Sequence, residues 1–341
     1  MDFRYTEDQT ELAEGARAFL MGEATPERLR KLDSETTTDG LWGQIAEMGL
    51  LGVMTPEDQG GLGLGAADFA LIAEAAGEVA LPDPLIENAG VAAPLIAQID
   101  EKFSRAIAAG EHSVAISHTL APFANSRFSP DAVLIIDENK VSLAKPNSDD
   151  GIARGARSVD PFRTQADFDD GEGIADGNRA QEIYNAAAQL GAVFGAAELI
   201  GLGVGALNQA TAYAKQREQF GKPIGPFQAV KHLLATAFIK LEYARPLVAR
   251  AAQAIDDRHE DADLFISQAK LSAGDAATFA AEAAIQTHGA MGYTYEVDLH
   301  YWMKKIWARA GQWGDDAYHR NRIEACLFDG NRSVAPPDLS F

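Results

Sequence analysis

A mainly helical protein with one small β region in its middle is what this sequence predicts, and three observations predict it. Past residue 180, apolar residues recur alternately at four and three positions in four successive stretches, the period of buried helix faces. Between residues 111 and 177 that period gives way to short β-branched runs and turn residues, as strands require. Ahead of residue 110, helix-capping signals alternate with Gly/Pro loops. The expected domains are 1–110, helical; 111–177, a reduced β-domain; and 178–341, an antiparallel four-helix bundle.

Thr6, followed by Glu7 and Asp8, reads as the cap and acidic first turn of a helix running to Leu20. A second helix is expected around Leu41 to Met48, and a third after Gly65 through Leu71 and Ala75. Val114-Ala115-Ile116 and Val133-Leu134-Ile135-Ile136 read as buried strands. Asp137 to Lys140 turns the second of these into Val141-Ser142-Leu143, a hairpin. Asn147 to Asp176, rich in Asp, Gly, Ser and Arg, suits loops with one or two further strands. The first bundle stripe is Val193, Ala197, Ile200, Val204, Leu207, Thr211 and Ala214, and the second runs from Phe227 to Val248. The third runs from Phe265 to Ala283 and the fourth from Leu299 to Ala310. Small residues dominate them, so the helices can approach closely.

Composition excludes several classes. The net charge of −21 repels nucleic acid and anionic membranes. No apolar run is read as approaching a membrane span, and Met1-Asp2-Phe3-Arg4 is not a secretory signal. A cytoplasmic protein is expected. Cys326 is the only cysteine, which rules out internal disulfides and cysteine-ligated metal, and the seven histidines lack ligand spacing.

The chemistry concentrates in residues 215–231, KQREQFGKPIGPFQAVK. Arg217, Phe220 and Gly221 close one helix, a Pro/Gly turn follows, and Phe227 with Gln228 opens the next. A guanidinium is a planar fork of donors that matches a phosphate, although Arg217 beside Glu218 also suits a solvated helix face. Two further segments stand in order around it. Glu47-Met48-Gly49-Leu50-Leu51-Gly52 leads into Pro56-Glu57-Asp58-Gln59-Gly60-Gly61-Leu62-Gly63, and Gln286-Thr287-His288-Gly289-Ala290-Met291-Gly292-Tyr293-Thr294 follows near the C-terminus. Together these three segments resemble the acyl-CoA dehydrogenase family.

The resemblance implies FAD as cofactor and an acyl-CoA as substrate, dehydrogenated between Cα and Cβ, with electron-transfer flavoprotein as the habitual acceptor. It places the ADP half of FAD on Arg217, Phe220, Gln228, Gln286 and Gly289; Gln286 is expected to face inward, continuing the stripe that ends at Ala283. Ala290 stands where the family prefers a second glycine. Two other departures matter more. The family's flavin-ring segment, T-E-P-x-A-G-S-D in type, is replaced by Ser117-His118-Thr119-Leu120-Ala121-Pro122-Phe123-Ala124. The two positions at which the family carries its catalytic glutamate fall on Trp313 and near Gly191. Glu198 and Asp315 are the nearby acids; each has a plain alternative, a paired acid between helices for Glu198 and a helix cap for Asp315.

In this family the dinucleotide crosses a subunit boundary. A chain that keeps the ADP-holding residues and lacks the others resembles the shorter, degenerate subunit of α2β2 bacterial enzymes that degrade steroid and bile-acid side chains. The expected partner is a second dehydrogenase-like subunit in a heterotetramer. A self-sufficient homo-oligomer and a non-catalytic structural paralogue are the other readings.

Overall fold

The structure, a computed structural model, describes residues 4–35, 39–126, 129–147 and 152–328. It is mostly helical, as expected. Helix α1 (Glu7–Glu23) opens on Thr6, whose side chain accepts from the Gln9 amide while the Gln9 side chain returns to the Thr6 N–H, a reciprocal cap. Thr25 and Pro26 start α2 (Pro26–Ser34), which the sequence reading did not isolate. Then come α3 (Leu41–Glu47) and α4 (Ala66–Glu78). The first two amides of α4 donate to Asp256 of a distant helix at 2.7 and 2.9 Å, so a tertiary contact supplies the cap that Gly65 lacks. Next is a π-helical turn at Ile86–Ala92, buried at every residue, which continues into α5 (Ala93–Ile96) and then α6 (Glu101–Ala108). Asn88 in that turn donates to Val114 O and accepts from Val114 N–H at 2.7 Å, fixing where the first strand begins.

Strands β1 (Val114–His118) and β3 (Ala132–Ile136) pair in parallel; β3 and β4 (Lys140–Ala144) form the expected antiparallel hairpin. With β7 (Glu172–Asp176) the sheet order is β1-β3-β4-β7. A smaller sheet orders β2 (Asn125–Ser126), β6 (Thr164–Ala166) and β5 (Ile152–Arg157). Three strands thus fall within residues 147–176, where one or two were expected.

The bundle holds α7 (Gly177–Gln216), α8 (Gln228–Asp256) and α9 (Ala262–His288), followed by α10 (Leu299–Ala310) and α11 (Asp316–Phe328). Three of these are long; the fourth stripe is a helix of 12 residues, with α11 beside it. The one-sided stripe expected of α7 is also corrected, because from Leu190 to Gly203 every residue is buried. Helix α4 covers the side opposite the bundle. Glycines make that approach possible: a Cβ on Gly201 would lie 1.9 Å from Glu74 O, and one on Gly77 would lie 2.2 Å from Glu198 O. Contrary to the sequence reading, α7 does contain a stretch long and apolar enough to cross a membrane, and 94% of it is buried inside the fold. It is a core helix, and one hydrophobic core runs from α1 and α4 through the sheet into the bundle.

Candidate functional site

One pole of the bundle gathers the residues assigned to the dinucleotide. Helices α7 and α9 end there side by side, with Tyr213 stacked on His288 at 4.3 Å between ring centroids. Arg217 leaves the helix at ψ 120°, its N–H still donating to Tyr213 O. A hairpin of β8 (Glu218–Gln219) and β9 (Lys222–Pro223) turns through Phe220 and Gly221, both at positive φ. It is pinned by Ile224 N–H to Arg217 O and Gly225 N–H to Ala214 O, each at 2.8 Å. Phe220 is 92% exposed, touching Phe227 edge-on at 6.0 Å. The exposed Arg217 side chain makes no ion pair among the described residues, and Gln228, also exposed, begins α8.

Gln286 departs from its expected place. It is exposed; the inward position belongs to Thr287, whose hydroxyl donates to Ala283 O at 2.7 Å. At Gly289 φ is 61°, and nothing lies within 4 Å of where a Cβ would be, so its backbone opens outward. A groove of about 620 Å³ runs beside the hairpin, lined by Thr211, Lys215, Pro223, Pro226 and Lys231 among others. All five assigned residues therefore present exposed donors, an exposed ring or open backbone at one end of the molecule. That set fits the anionic half of a dinucleotide laid across the outside of the bundle.

The β side is built differently. Ser117 uses its hydroxyl on Pro122 O at 3.3 Å, and Thr119 is exposed. His118 is buried and neutral: burial pushes it down to about 4, Leu120 N–H donates to Nδ1, and Nε2 therefore donates to Tyr184 O. Trp313 stands against this loop. Its N–H donates to Leu120 O at 2.7 Å, its ring lies 5.2 Å from His118, and its φ is 61°. Positive φ in a bulky residue needs external restraint. His319 Nε2 bonds Trp313 O at 3.0 Å, and the buried Lys270 amine, pushed down to about 8 by burial, donates to Ala310 O and Gly314 O.

The indole lies on Gly191. A Cβ there would meet Trp313 Cδ2 at 2.2 Å. The two positions at which a base was sought are thus in contact, and the space between them is filled by an aromatic ring resting on a glycine.

Neither nearby acid reaches that contact as a free carboxylate. Glu198, 2% exposed, lies 2.6 Å from Arg309 Nε and 3.7 Å from Lys305 Nζ, between α7 and α10. Arg309 also bonds Glu87 of the π turn at 2.5 Å. Burial would raise Glu87, but Arg309 and Arg163 hold it down to about 2. Asp315 is exposed and accepts from Tyr318 N–H at 2.8 Å, ordering the first turn of α11. Of the buried ion network, the sequence reading named Glu198 as a paired acid between helices, and that is its place; its partners and Glu87 were missed. The signal for the cations was Lys305 and Arg309, four residues apart beside the apolar fourth stripe.

Comparison with known proteins bears on the whole chain. The acyl-CoA dehydrogenase N-terminal domain matches residues 6–109, and the acyl-CoA dehydrogenase C-terminal domain matches residues 178–328. The acyl-CoA dehydrogenase IpdE2 of Mycolicibacterium smegmatis is 28% identical over 95% of this chain and 100% of its own length. In fold, the chain is similar to the ChsE4–ChsE5 complex of Mycobacterium tuberculosis (TM-score 0.83, 21% identity, 98% of this chain and 100% of that one). It is similar too to PigA solved with FAD and proline (TM-score 0.82, 20% identity, 96% and 99%).

Proposed function

The chain belongs to the acyl-CoA dehydrogenase family, and we propose that it is the base-lacking subunit of an FAD-dependent enzyme that desaturates an acyl-CoA between Cα and Cβ. The observation that carries this reading is Trp313 seated on Gly191. Removing an α-proton needs a carboxylate within hydrogen-bond reach of it; here an indole and a glycine occupy both sites, and Glu198 is committed to Arg309 and Lys305. The base then comes from a second dehydrogenase-like subunit. The ChsE4–ChsE5 complex, a two-protein assembly of this fold, supports such a pairing.

FAD, when bound, supplies the hydride acceptor. This chain's part is to hold it. Arg217 would take the pyrophosphate, the open backbone at Gly289 would lie along it, and Phe220 would cover the adenylate. Gln228 and Gln286, both exposed at that pole, have amides free to bond the remaining oxygens. An exposed arginine with no internal partner costs the fold nothing to keep and gains its partner only when the dinucleotide arrives. A bulky steroid-type acyl chain is the proposed substrate class, and electron-transfer flavoprotein the acceptor.

Co-purification tests the proposal. With its dehydrogenase-like partner the chain should form a yellow heterotetramer with fewer FAD molecules than subunits; alone it should be flavin-poor and inactive. One FAD per subunit in a homo-oligomer of this chain, active on any acyl-CoA, would overturn it.

A further inference from the structure

Between the loop that follows β1 and the end of α10 lies a cavity of about 440 Å³, within the range of small-molecule sites. Its polar side chains are one guanidinium, two amides and one hydroxyl, those of Arg163, Gln165, Gln312 and Ser158. The Arg163 side chain is 8% exposed and pairs with Glu87 at 3.6 Å, a carboxylate bonded by Arg309 at 2.5 Å, with Asp160 and Glu198 the next nearest acids acting on it. Among the described residues the Arg163 guanidinium makes no hydrogen bond, so its N–H groups are left for the cavity. Gln312 lines the same wall; its Oε1 accepts from Arg309 at 2.8 Å, which leaves its NH2. Ser158 Oγ accepts from Asp160 N–H at 3.1 Å and keeps its own proton to give. Leu120, Phe123 and Ala308 make the apolar remainder.

We propose that this cavity binds a small carboxylate-bearing molecule, its carboxylate on Arg163, Gln312 and Ser158 and its apolar body against Leu120, Phe123 and Ala308. A lining with a cation and no carboxylate among its described residues favours an anion, and a planar guanidinium selects a planar carboxylate. Such an anion would take the guanidinium N–H groups that make no hydrogen bond among the described residues. Burial and the neighbouring Arg309 push Arg163 down to about 10 against the pull of Glu87, Asp160 and Glu198. Glu87 reaches the site from a π-helical turn, a distortion often kept where a side chain must be aimed. This inference does not rest on the subunit reading: it concerns a pocket inside one chain and needs neither FAD nor a partner.

Calorimetric titration of the full-length chain with hexanoate, hexanamide and riboflavin tests it. Hexanoate should bind saturably, and hexanamide at least about tenfold more weakly, the size of one charge-assisted contact. Arg163→Gln should weaken hexanoate by a similar factor. Ala308→Phe, which fills the cavity and touches no ion pair, should abolish binding. The idea is overturned by no saturable hexanoate binding at about 10 mM, or by equal affinity for hexanamide. Riboflavin binding tighter than hexanoate and lost in Ala308→Phe would also overturn it, since the cavity would then be a ring site. Should Arg163→Gln fail to fold, unchanged hexanoate affinity in Ala308→Phe suffices to reject it.

Discussion

Arg217 and Glu198 are both charged residues of α7 and its exit, and their surroundings give them opposite work. Arg217 is exposed at the bundle pole with no ion pair among the described residues; Glu198 is buried between two cations. Arg217→Ala should therefore leave the melting curve of the chain unchanged and lower FAD retention in the assembled enzyme. A contact of that kind is worth about 1.5–3 kcal/mol, or roughly ten- to a hundredfold in affinity. Unaltered FAD content in an intact oligomer would remove Arg217 from the site. Glu198→Gln should do the reverse. Stripping one partner from a buried pair costs about 3–5 kcal/mol, visible as a lower urea midpoint, while turnover of the assembled enzyme stays within about tenfold. General-base removal costs about 10²–10⁴, so a thousandfold loss with stability intact would make Glu198 the base. At this scale the sequence disclosed residue types more surely than their direction, and Gln286 faces outward against its inward expectation. Arg217 and Gly289 stood out because their segments resemble a family's; the outward turn of Gln286 depends on which of two adjacent α9 positions meets the core. The Trp313–Gly191 contact could be read only as two separate absences, since some 120 residues divide them along the chain.

Elements carry a second lesson, in helix α7. Its mid-section is buried all round because α4 packs on it through backbone, Gly77 against Glu198 O and Gly201 against Glu74 O. Glycine inside a helix ordinarily costs about 0.5–1 kcal/mol relative to alanine, so Gly201→Ala would stabilise a free helix. Here the added methyl would sit 1.9 Å from Glu74 O, and overpacking of this kind costs about 1–3 kcal/mol. We expect a net loss of stability in chemical denaturation; a gain would mean that the two helices do not meet through these glycines. The same packing explains which elements were legible. Helices with one buried face, such as α8, announce themselves by period. The π turn at Ile86–Ala92 is buried on every side and shows no period at all. Helix α2 offers only Leu29 and Leu32 to the core in nine residues. The hairpin of β3 and β4 was read correctly because its turn residues and its apolar runs agree.

Over the whole molecule, stability should carry a histidine signature, and the surface should carry an assembly signature. His118 and His319 are both buried and pushed down to about 4 from an ordinary 6.5. The unfolded chain binds those protons first, so the stability these groups permit is complete above pH 6.5 and is lost as pH falls toward 4. The thermal midpoint should drop across that window, and His118→Gln should make the drop shallower; identical slopes would remove His118 from the account. The second signature lies on α8. Its C-terminal end buries Ala249, Ala251, Ala252 and Ala254, whereas its middle holds Phe238, Ile239 and Tyr243 at 54, 50 and 74% exposure. Apolar residues so grouped on an outer surface mark a contact with another chain. They lie on the same helix as Gln228, about 15–22 Å along it, so a subunit docked on them would extend toward the dinucleotide pole. Phe238→Glu combined with Tyr243→Glu should leave the isolated chain folded, because neither side chain contributes to the core. In co-purification with the partner the double variant should run as separate subunits and lose flavin together with assembly. An intact, fully flavinated complex would place the subunit contact elsewhere and leave this stretch of α8 as plain surface.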